Sequence, residues 1–311
     1  MEYLYYNACM RKTQEGDCRI MNFSKYDVLV KVAELGSLTK AAEVIGCSQS
    51  NVSHVLNALE EEFGFPIFLR GRGGAQLTPD GQRVLPAVRG LLAGKERLRQ
   101  TIAAIRGLDA GTVRIGAFTS VAVHWLPGMI KAFAGDYPNI EFGLSNGDYH
   151  DVETWLSEGS VDVGFVTLPT ELDCPCIPLK EDRLLLVVPA DHRLAGRALC
   201  PLSELAGETF ISLLENSDQD MRKVLAQAGV RPNVRYVTKD DYAMLAMVEN
   251  GLGVSIMPEL LLRGRTANIR VLELENRPTR TLALAVPEIS TESPCVSRFV
   301  EYAQKWVAQN A

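Results

Sequence analysis

The chain of 311 residues contains no run of 18 or more apolar residues, so no membrane-spanning helix is expected. Residues 1–20 lack a continuous apolar core and a small-residue cleavage site, which argues against a secretory signal. Only four histidines are present, and none joins a cysteine cluster at metal-ligand spacing, so neither a metal site nor a cofactor is expected. The seven cysteines (Cys9, Cys18, Cys47, Cys174, Cys176, Cys200 and Cys295) are odd in number and irregularly spaced. That excludes a fully paired disulfide framework and points to reduced thiols in a cytoplasmic protein. Positive charge is not in excess either: 32 Lys and Arg face 38 Asp and Glu, a net charge of −6, which argues against simple coating of nucleic acid. No nucleophile, base and metal set converges in the pattern, so no catalytic residue is assigned and no enzyme is expected.

What is present is an ordinary globular composition, 47% apolar and 23% charged with a mean hydropathy of +0.01, long enough for two or three domains. Its charges are unevenly spread. Residues 82–107 carry six basic residues against Glu96 alone, whereas residues 108–311 carry 18 basic and 27 acidic residues. Positive potential is therefore confined to one strip.

At the start, Phe23, Tyr26, Leu29, Val30 and Ala33 recur at helical intervals up to Gly36. Ser37 can cap a short helix ending near Ile45, and after Gly46 Ser48 can begin a third helix reaching about Glu62. Two short helices a few residues apart, the second longer, have helix-turn-helix spacing. In the third helix Val52, Val55, Leu56, Leu59 and Phe63 form an apolar stripe. Ser50, Ser53, His54 and Asn57 share another face, with Gln49 and Asn51 near its leading end. Such a face is either ordinary solvated surface or a reader of base edges, and short hydrogen-bonding side chains at the leading end suit the major groove. Glu60, Glu61 and Glu62 should then point away from DNA. Two short extended runs around Gly71-Arg72-Gly73-Gly74 read as a β wing, with Arg70 and Arg72 placed for phosphate. Thr78-Pro79-Asp80 signals the next helix start.

The segments Gly36-Ser37-Leu38-Thr39-Lys40-Ala41-Ala42, Ser48 to Ser53, Leu59-Glu60, Phe68-Leu69-Arg70 and Leu77 to Gly81, in this order and spacing, resemble the DNA-binding domain of LysR-type transcriptional regulators. The candidate DNA-binding residues are then Ser37, Thr39, Ser48, Gln49, Ser50, Asn51, Ser53, His54, Asn57, Arg70 and Arg72. In this register the family's pattern starts near Met21, which makes residues 1–20 an extension or a misassigned start. The domain expected over 21–81 leads into a linker helix, 82–108, with Val84, Val88, Leu91, Lys95, Leu98, Ile102 and Ile105 spaced as a coiled-coil seam. Packing of that stripe on its own domain is the rival to self-association. Lys95 departs from the apolar pattern.

From Thr112 strands and helices alternate, which predicts mostly parallel sheets with covering helices. The overall expectation is an α/β protein: an all-α winged helix-turn-helix, a linker helix and a two-lobed effector domain over 112–311 resembling type II periplasmic receptors. Lobe I is expected at about 112–188 and 284–311, and lobe II at about 189–283. Ligands in such sheets lie beyond the carboxyl ends of strands. The strand ending at Ala117 delivers Thr119 and Ser120 to a helix start, where they hold an anionic effector such as a carboxylate or merely cap the helix. Thr167, Ser212 and Thr238 are placed similarly and complete the expected effector set.

Cys174-Pro175-Cys176 reads as a loop or strand edge, a C-x-C pair alone being weak evidence for chemistry. The loop 215–220 lacks the cysteine that peroxide-sensing members carry after the strand matching 209–213, so a peroxide sensor is not expected. His192 falls in a common loop pattern of the family, and His54 is expected to meet DNA or solvent. The resemblance implies a cytoplasmic homo-oligomer, a dimer and then a tetramer. Its expected partners are a double-stranded operator, a small-molecule effector and RNA polymerase, with no membrane partner. A solute receptor or an enzyme on a related two-lobed fold is the alternative, and neither has a use for residues 23–107.

Overall fold

The computed structural model describes residues 24–71, 74–105, 110–214, 219–264 and 268–311. The extension 1–20, Phe23 and Arg72 lie outside the described residues. The chain divides into two compact units between Lys95 and Glu96, inside the expected linker helix rather than at its ends.

In the first unit the cap chemistry sets the helix boundaries. Ser24 opens α1 (Lys25–Leu35) with a capping box, its N–H donating to the Asp27 carboxylate at 2.7 Å. Gly36 ends α1 in the left-handed region at φ +60°, which a side chain would resist. Ser37 caps α2 (Leu38–Ile45) and Ser48 caps α3 (Gln49–Phe63). Val28, Leu29, Val32, Ala41, Ala42, Ile45, Val52, Leu56 and Leu59 close a common core. The wing is a two-stranded antiparallel ribbon, β1 (Phe68–Gly71) and β2 (Gly74–Leu77). It presses on the α1–α2 turn, where the Ala75 N–H donates to the Gly36 carbonyl at 2.8 Å. A Cβ on Gly74 would lie 2.4 Å from that oxygen, so only glycine fits. Thr78 starts α4 (Pro79–Ile105) by accepting from the Gly81 N–H at 2.9 Å.

The α4 stripe divides along its length. Val84 and Val88 pack on the first unit's core, while Leu91, Leu98, Ile102 and Ile105 are 54%, 62%, 47% and 81% exposed. Lys95 lies 3.8 Å from the Asp27 carboxylate.

The second unit opens with β3 (Ala110–Phe118), α5 (Thr119–His124), α6 (Leu126–Asp136), β4 (Asn139–Gly147), α7 (Tyr149–Ser157) and β5 (Val163–Leu168). The long β6 (Cys176–Pro189) leads to β7 (Leu199–Cys200), β8 (Thr209–Leu213), α8 (Gln219–Gln227), β9 (Asn233–Thr238) and α9 (Asp241–Glu249). β10 (Ser255–Pro258), α10 (Glu259–Leu262), β11 (Ile269–Leu274), β12 (Thr279–Ala285), α11 (Glu288–Thr291) and α12 (Pro294–Asn310) complete it.

Two strands belong to both lobes or stand at their junction. Residues 176–183 of β6 pair with β12, whereas 184–189 pair with β10 and β11. The chain crosses back just before β12, where the Leu184 N–H donates to the Pro278 carbonyl at 2.8 Å. The crossovers therefore fall at 183/184 and 278/279, about five residues ahead of the expected boundaries in each case. β3 runs parallel to β4 and β5, β8 to β9 and β11 to β7, but β12, β10 and β11 run antiparallel to β6, and β12 antiparallel to β5. The expected parallel sheets are thus mixed, because the crossing strands return against the β6 direction.

The run Leu184-Leu185-Leu186-Val187-Val188 is buried on both faces. Leu184, Leu186 and Val188 enter one core of lobe II, and Leu185 and Val187 enter the other. Lobe I instead grades its two faces by size. Val163, Phe165, Leu282 and Leu284 meet Trp125, Phe133 and Phe299 on one side. On the other, Gly164, Ala283 and Ala285 admit α7 closely, and a Cβ on Gly164 would lie 2.6 Å from Leu156. This approach sets the height of α7 over the sheet, and with it the position of Tyr149 at its first turn. Gly164→Val should therefore overpack the α7 face and lower stability by about 1–3 kcal/mol, read as a reduced denaturation midpoint. A midpoint equal to wild type would show that α7 yields freely.

Candidate effector cleft and DNA-binding face

Arg280 on β12 lies directly opposite Asp182 on β6, at the lobe junction. Its Nε and Nη2 donate to Asp182 Oδ2 at 3.0 and 2.7 Å, and both side chains are buried (3% and 5% exposed). Asp182 Oδ1 also accepts the Leu260 N–H at 2.9 Å, anchoring the start of α10. Two further guanidinium N–H groups reach lobe I: Nη2 donates to Ser120 Oγ at 2.9 Å and Nη1 to the Tyr149 hydroxyl. Phe118 and Tyr149 flank it, with the cation 5.1 Å from the Phe118 ring centre. Burial disfavours the charge on Arg280, but Tyr149, Asp182 and Asp220 around it more than offset that and hold it protonated.

Two contacts cross the cleft beside this pair. Tyr149 of lobe I donates its hydroxyl to Asp220 of lobe II at 2.6 Å. Thr119 of lobe I hydrogen-bonds Asp241 of lobe II, whose pKa is raised by burial and only partly restored by Thr119 and Arg280. Around them is a cavity of about 220 Å³. Its polar lining includes Thr119, Ser120, Asp148, Asp220, Asp240 and Asp241, and its apolar wall includes Leu213, Met221, Met244 and Ile256. Such a volume is below the roughly 300–1,000 Å³ of pockets for drug-sized ligands, so it suits a small metabolite.

Of the expected effector residues, the structure brings Thr119 and Ser120 to the cavity. Thr167, Ser212 and Thr238 do not line it. Ser212 is fully buried and donates to the Leu213 carbonyl at 2.9 Å, while Thr238 accepts the Asp240 N–H at 3.2 Å. Thr167 sits within β5, paired with Leu282, one residue before that strand ends. Arg280, Tyr149, Asp220 and Asp241 escaped the sequence reading. One signal existed: Arg280 shares strand parity with the core residues Leu282 and Leu284, and Asp182 with Leu184 and Leu186. Opposite charges on the core faces of two apolar strands mark a buried pair.

None of the described cysteines and histidines lines this cavity. Cys174 is pushed up to about 11 by burial, and Cys176 donates to the Cys174 carbonyl at the start of β6. His192 lies 3.2 Å from Glu208, a contact that ties its loop down. Among the described residues no group of three His, Cys, Asp or Glu can hold a metal, and no helix is long and apolar enough to cross a membrane.

In the first unit Gln49, Ser50, Asn51, His54 and Asn57 are exposed along the leading part of α3, and Ser53 is half-buried. Thr39 is exposed on α2. The Ser37 and Ser48 hydroxyls accept the Lys40 and Asn51 N–H groups at 3.3 and 3.2 Å, so both serve as helix caps. Arg70 pairs with Ala75 through the wing ribbon. The acidic trio is not uniformly solvated. Glu60 accepts the Ile67 and Phe68 N–H groups at 2.8 and 3.1 Å, and Glu62 pairs with Lys25. These contacts hold the two carboxylates at the trailing end of α3, away from its polar leading residues.

A winged helix-turn-helix followed by a two-lobed α/β domain with a cavity between its lobes defines a ligand-responsive, DNA-binding regulator. The "LysR substrate binding domain" family matches residues 106–308, and the "bacterial regulatory helix-turn-helix protein, lysR family" matches residues 23–82. The HTH-type transcriptional regulator YvbU of Bacillus subtilis (strain 168) is 32% identical over 92% of this chain and 98% of its own length. Full-length OxyR from Pseudomonas aeruginosa, solved as a point variant, shares the fold at 23% identity and a TM-score of 0.71, covering 92% of this chain and 97% of that one. The Synechocystis PCC6803 CcmR regulatory domain, solved in complex with 2-PG, is 22% identical with a TM-score of 0.60 and covers 64% of this chain and 98% of that one. The chain belongs to the LysR family of transcriptional regulators, which bind DNA sequence-specifically and carry an effector-binding domain.

Removing Arg280 alone should be far worse than removing the pair, because it leaves Asp182 buried without its counter-charge. Arg280→Met should cost about 3–5 kcal/mol, with Asp182→Leu added to it recovering a large part. Urea unfolding of both variants checks this, and equal losses in the single and double variants would contradict the arrangement.

Proposed function

We propose that this regulator reads its operator with the leading face of α3 and senses a small molecule in the cavity between its lobes. Gln49, Ser50, Asn51, Ser53, His54 and Asn57 are proposed to meet bases, with Thr39 and the caps Ser37 and Ser48 beside phosphate. Arg70 and Arg72 of the wing are proposed to meet the backbone. Exposure of Gln49, Ser50, Asn51, His54 and Asn57 on α3, with two acidic residues engaged away from them, supports this orientation.

The observation that carries the sensing role is a cavity walled by both lobes at their junction, with contacts to Arg280, Thr119 and Ser120. A ligand there touches Thr119 and Ser120 on one side and α8 and α9 on the other, so its binding energy can favour one lobe arrangement. The shift it imposes can be no larger than its preference between arrangements, typically about 1–3 kcal/mol. The 2-PG bound to the CcmR regulatory domain supports a small molecule in a domain of this fold. Its identity does not carry over at 22% identity.

Self-association through α4 completes the reading. Leu91, Leu98, Ile102 and Ile105 are large, apolar and exposed, and a second copy would cover them and supply the second half-site reader. We propose a cytoplasmic dimer, assembling further to a tetramer and acting at a promoter beside RNA polymerase, without catalysis of its own.

Gln49→Ala should weaken operator binding by about 1–3 kcal/mol per lost base contact and leave binding to random DNA little changed. Equal loss on both DNAs, measured by fluorescence anisotropy, would remove α3 from base reading. Leu98→Glu with Ile102→Glu should lower the oligomeric state in sedimentation, and an unchanged state would place the interface elsewhere.

A further inference from the structure

We infer that the effector is a small primary amine with a short apolar tail, bound as its ammonium ion; this rests on the cleft being the sensing site. The cavity defines the site, and the charges around it define what enters. Three helices of nine residues begin at this cavity, and each N-terminus already has a carboxylate of its own. Asp148 caps α7 and accepts the Asp151 N–H at 2.8 Å, Asp220 lies in the first turn of α8, and Asp240 caps α9 by accepting the Ala243 N–H at 2.7 Å. Asp241 follows in the first turn of α9. The partial positive charge that would draw an anion to these helix starts is therefore neutralised within the chain.

The cations at the cavity do not reverse this. Arg280 directs Nε and Nη2 at Asp182, Nη2 also at Ser120, and Nη1 at Tyr149 with Asp220 beyond at 3.9 Å. Its guanidinium has no free bidentate edge for a ligand carboxylate. Lys239 is 65% exposed and faces Asp151 at 3.9 Å. A carboxylate or phosphate ligand would thus enter beside Asp148, Asp220, Asp240 and Asp241, with no unengaged cation deep in the cavity among the described residues. An ammonium would meet Asp220 and Asp241 there, while its tail packs on Leu213, Met221, Met244 and Ile256. The anionic effector expected from the Thr119-Ser120 helix start alone is replaced by a cation once the opposing lobe is in view.

Isothermal calorimetry on the full-length protein with isoamylamine and phenethylamine, beside isocaproate and phenylpropionate, tests the assignment. The amines should bind at least about tenfold more tightly than their matched acids. Asp241→Asn and Asp220→Asn should each lower amine affinity by about tenfold, and Met244→Trp, which fills the cavity, should abolish it. Tighter binding of the acids, abolished by Met244→Trp, would overturn the amine while leaving the cleft as the sensing site. Amine binding indifferent to all three substitutions would place the ligand outside the cleft and overturn both readings. Absence of heat from either class at millimolar ligand would overturn the amine assignment.

Discussion

The buried Arg280–Asp182 pair is the constraint on which the second unit depends. The two residues face one another on strands that pass from lobe to lobe, so the pair forms only when both crossovers are in register. Removing two charges from water costs several kcal/mol per ion before their attraction and hydrogen bonds offset it, and such pairs are poor sources of net stability. What this pair supplies is geometry. Asp182 fixes the guanidinium and the start of α10 together, and the guanidinium in turn fixes Ser120 and Tyr149 at the edge of lobe I. Tyr149 then reaches Asp220 across the cleft. The polar floor of the cavity is one connected set of hydrogen bonds that starts at the lobe junction.

Packing decisions far from the cavity serve this arrangement. Small residues on one face of the lobe I sheet let α7 approach, and that approach delivers Asp148 and Tyr149. Alternation of Leu184 to Val188 between two cores holds β6 in the middle of lobe II, immediately beyond Asp182. In the first unit a different economy applies. Serine caps and left-handed glycines cut three helices to length, and Glu60 ties the end of α3 to the wing.

How much of this is legible in the sequence follows from the range of the interactions. The caps Ser37 and Ser48, the stops Gly36 and Gly46, and the wing are decided within a few residues, and local pattern finds them. Thr119 and Ser120 are also legible, because a strand-to-helix turn is a local event. Arg280 meets Asp182 across 98 residues, Tyr149 across 131 and Ser120 across 160, and no local spacing encodes such meetings. Thr167, Ser212 and Thr238 misled because a strand end was assigned by composition, and the strands continue or turn inward at those points. The antiparallel return of β12 and β11 is likewise invisible to a period-two pattern, which is the same for either direction.

We propose that the arrangement of the lobes, held by the network around Arg280, is coupled to DNA binding by the first unit. Operator affinity of the Tyr149→Phe variant tests this most directly, because the change removes one hydroxyl bridging Arg280 and Asp220 and leaves every residue of the first unit intact. With the variant shown by circular dichroism to be folded, fluorescence anisotropy should report an operator affinity altered by about 5-fold to 150-fold, the span of typical coupling energies. An affinity indistinguishable from wild type would contradict the coupling and leave the cleft and the DNA-binding face as independent parts of one chain.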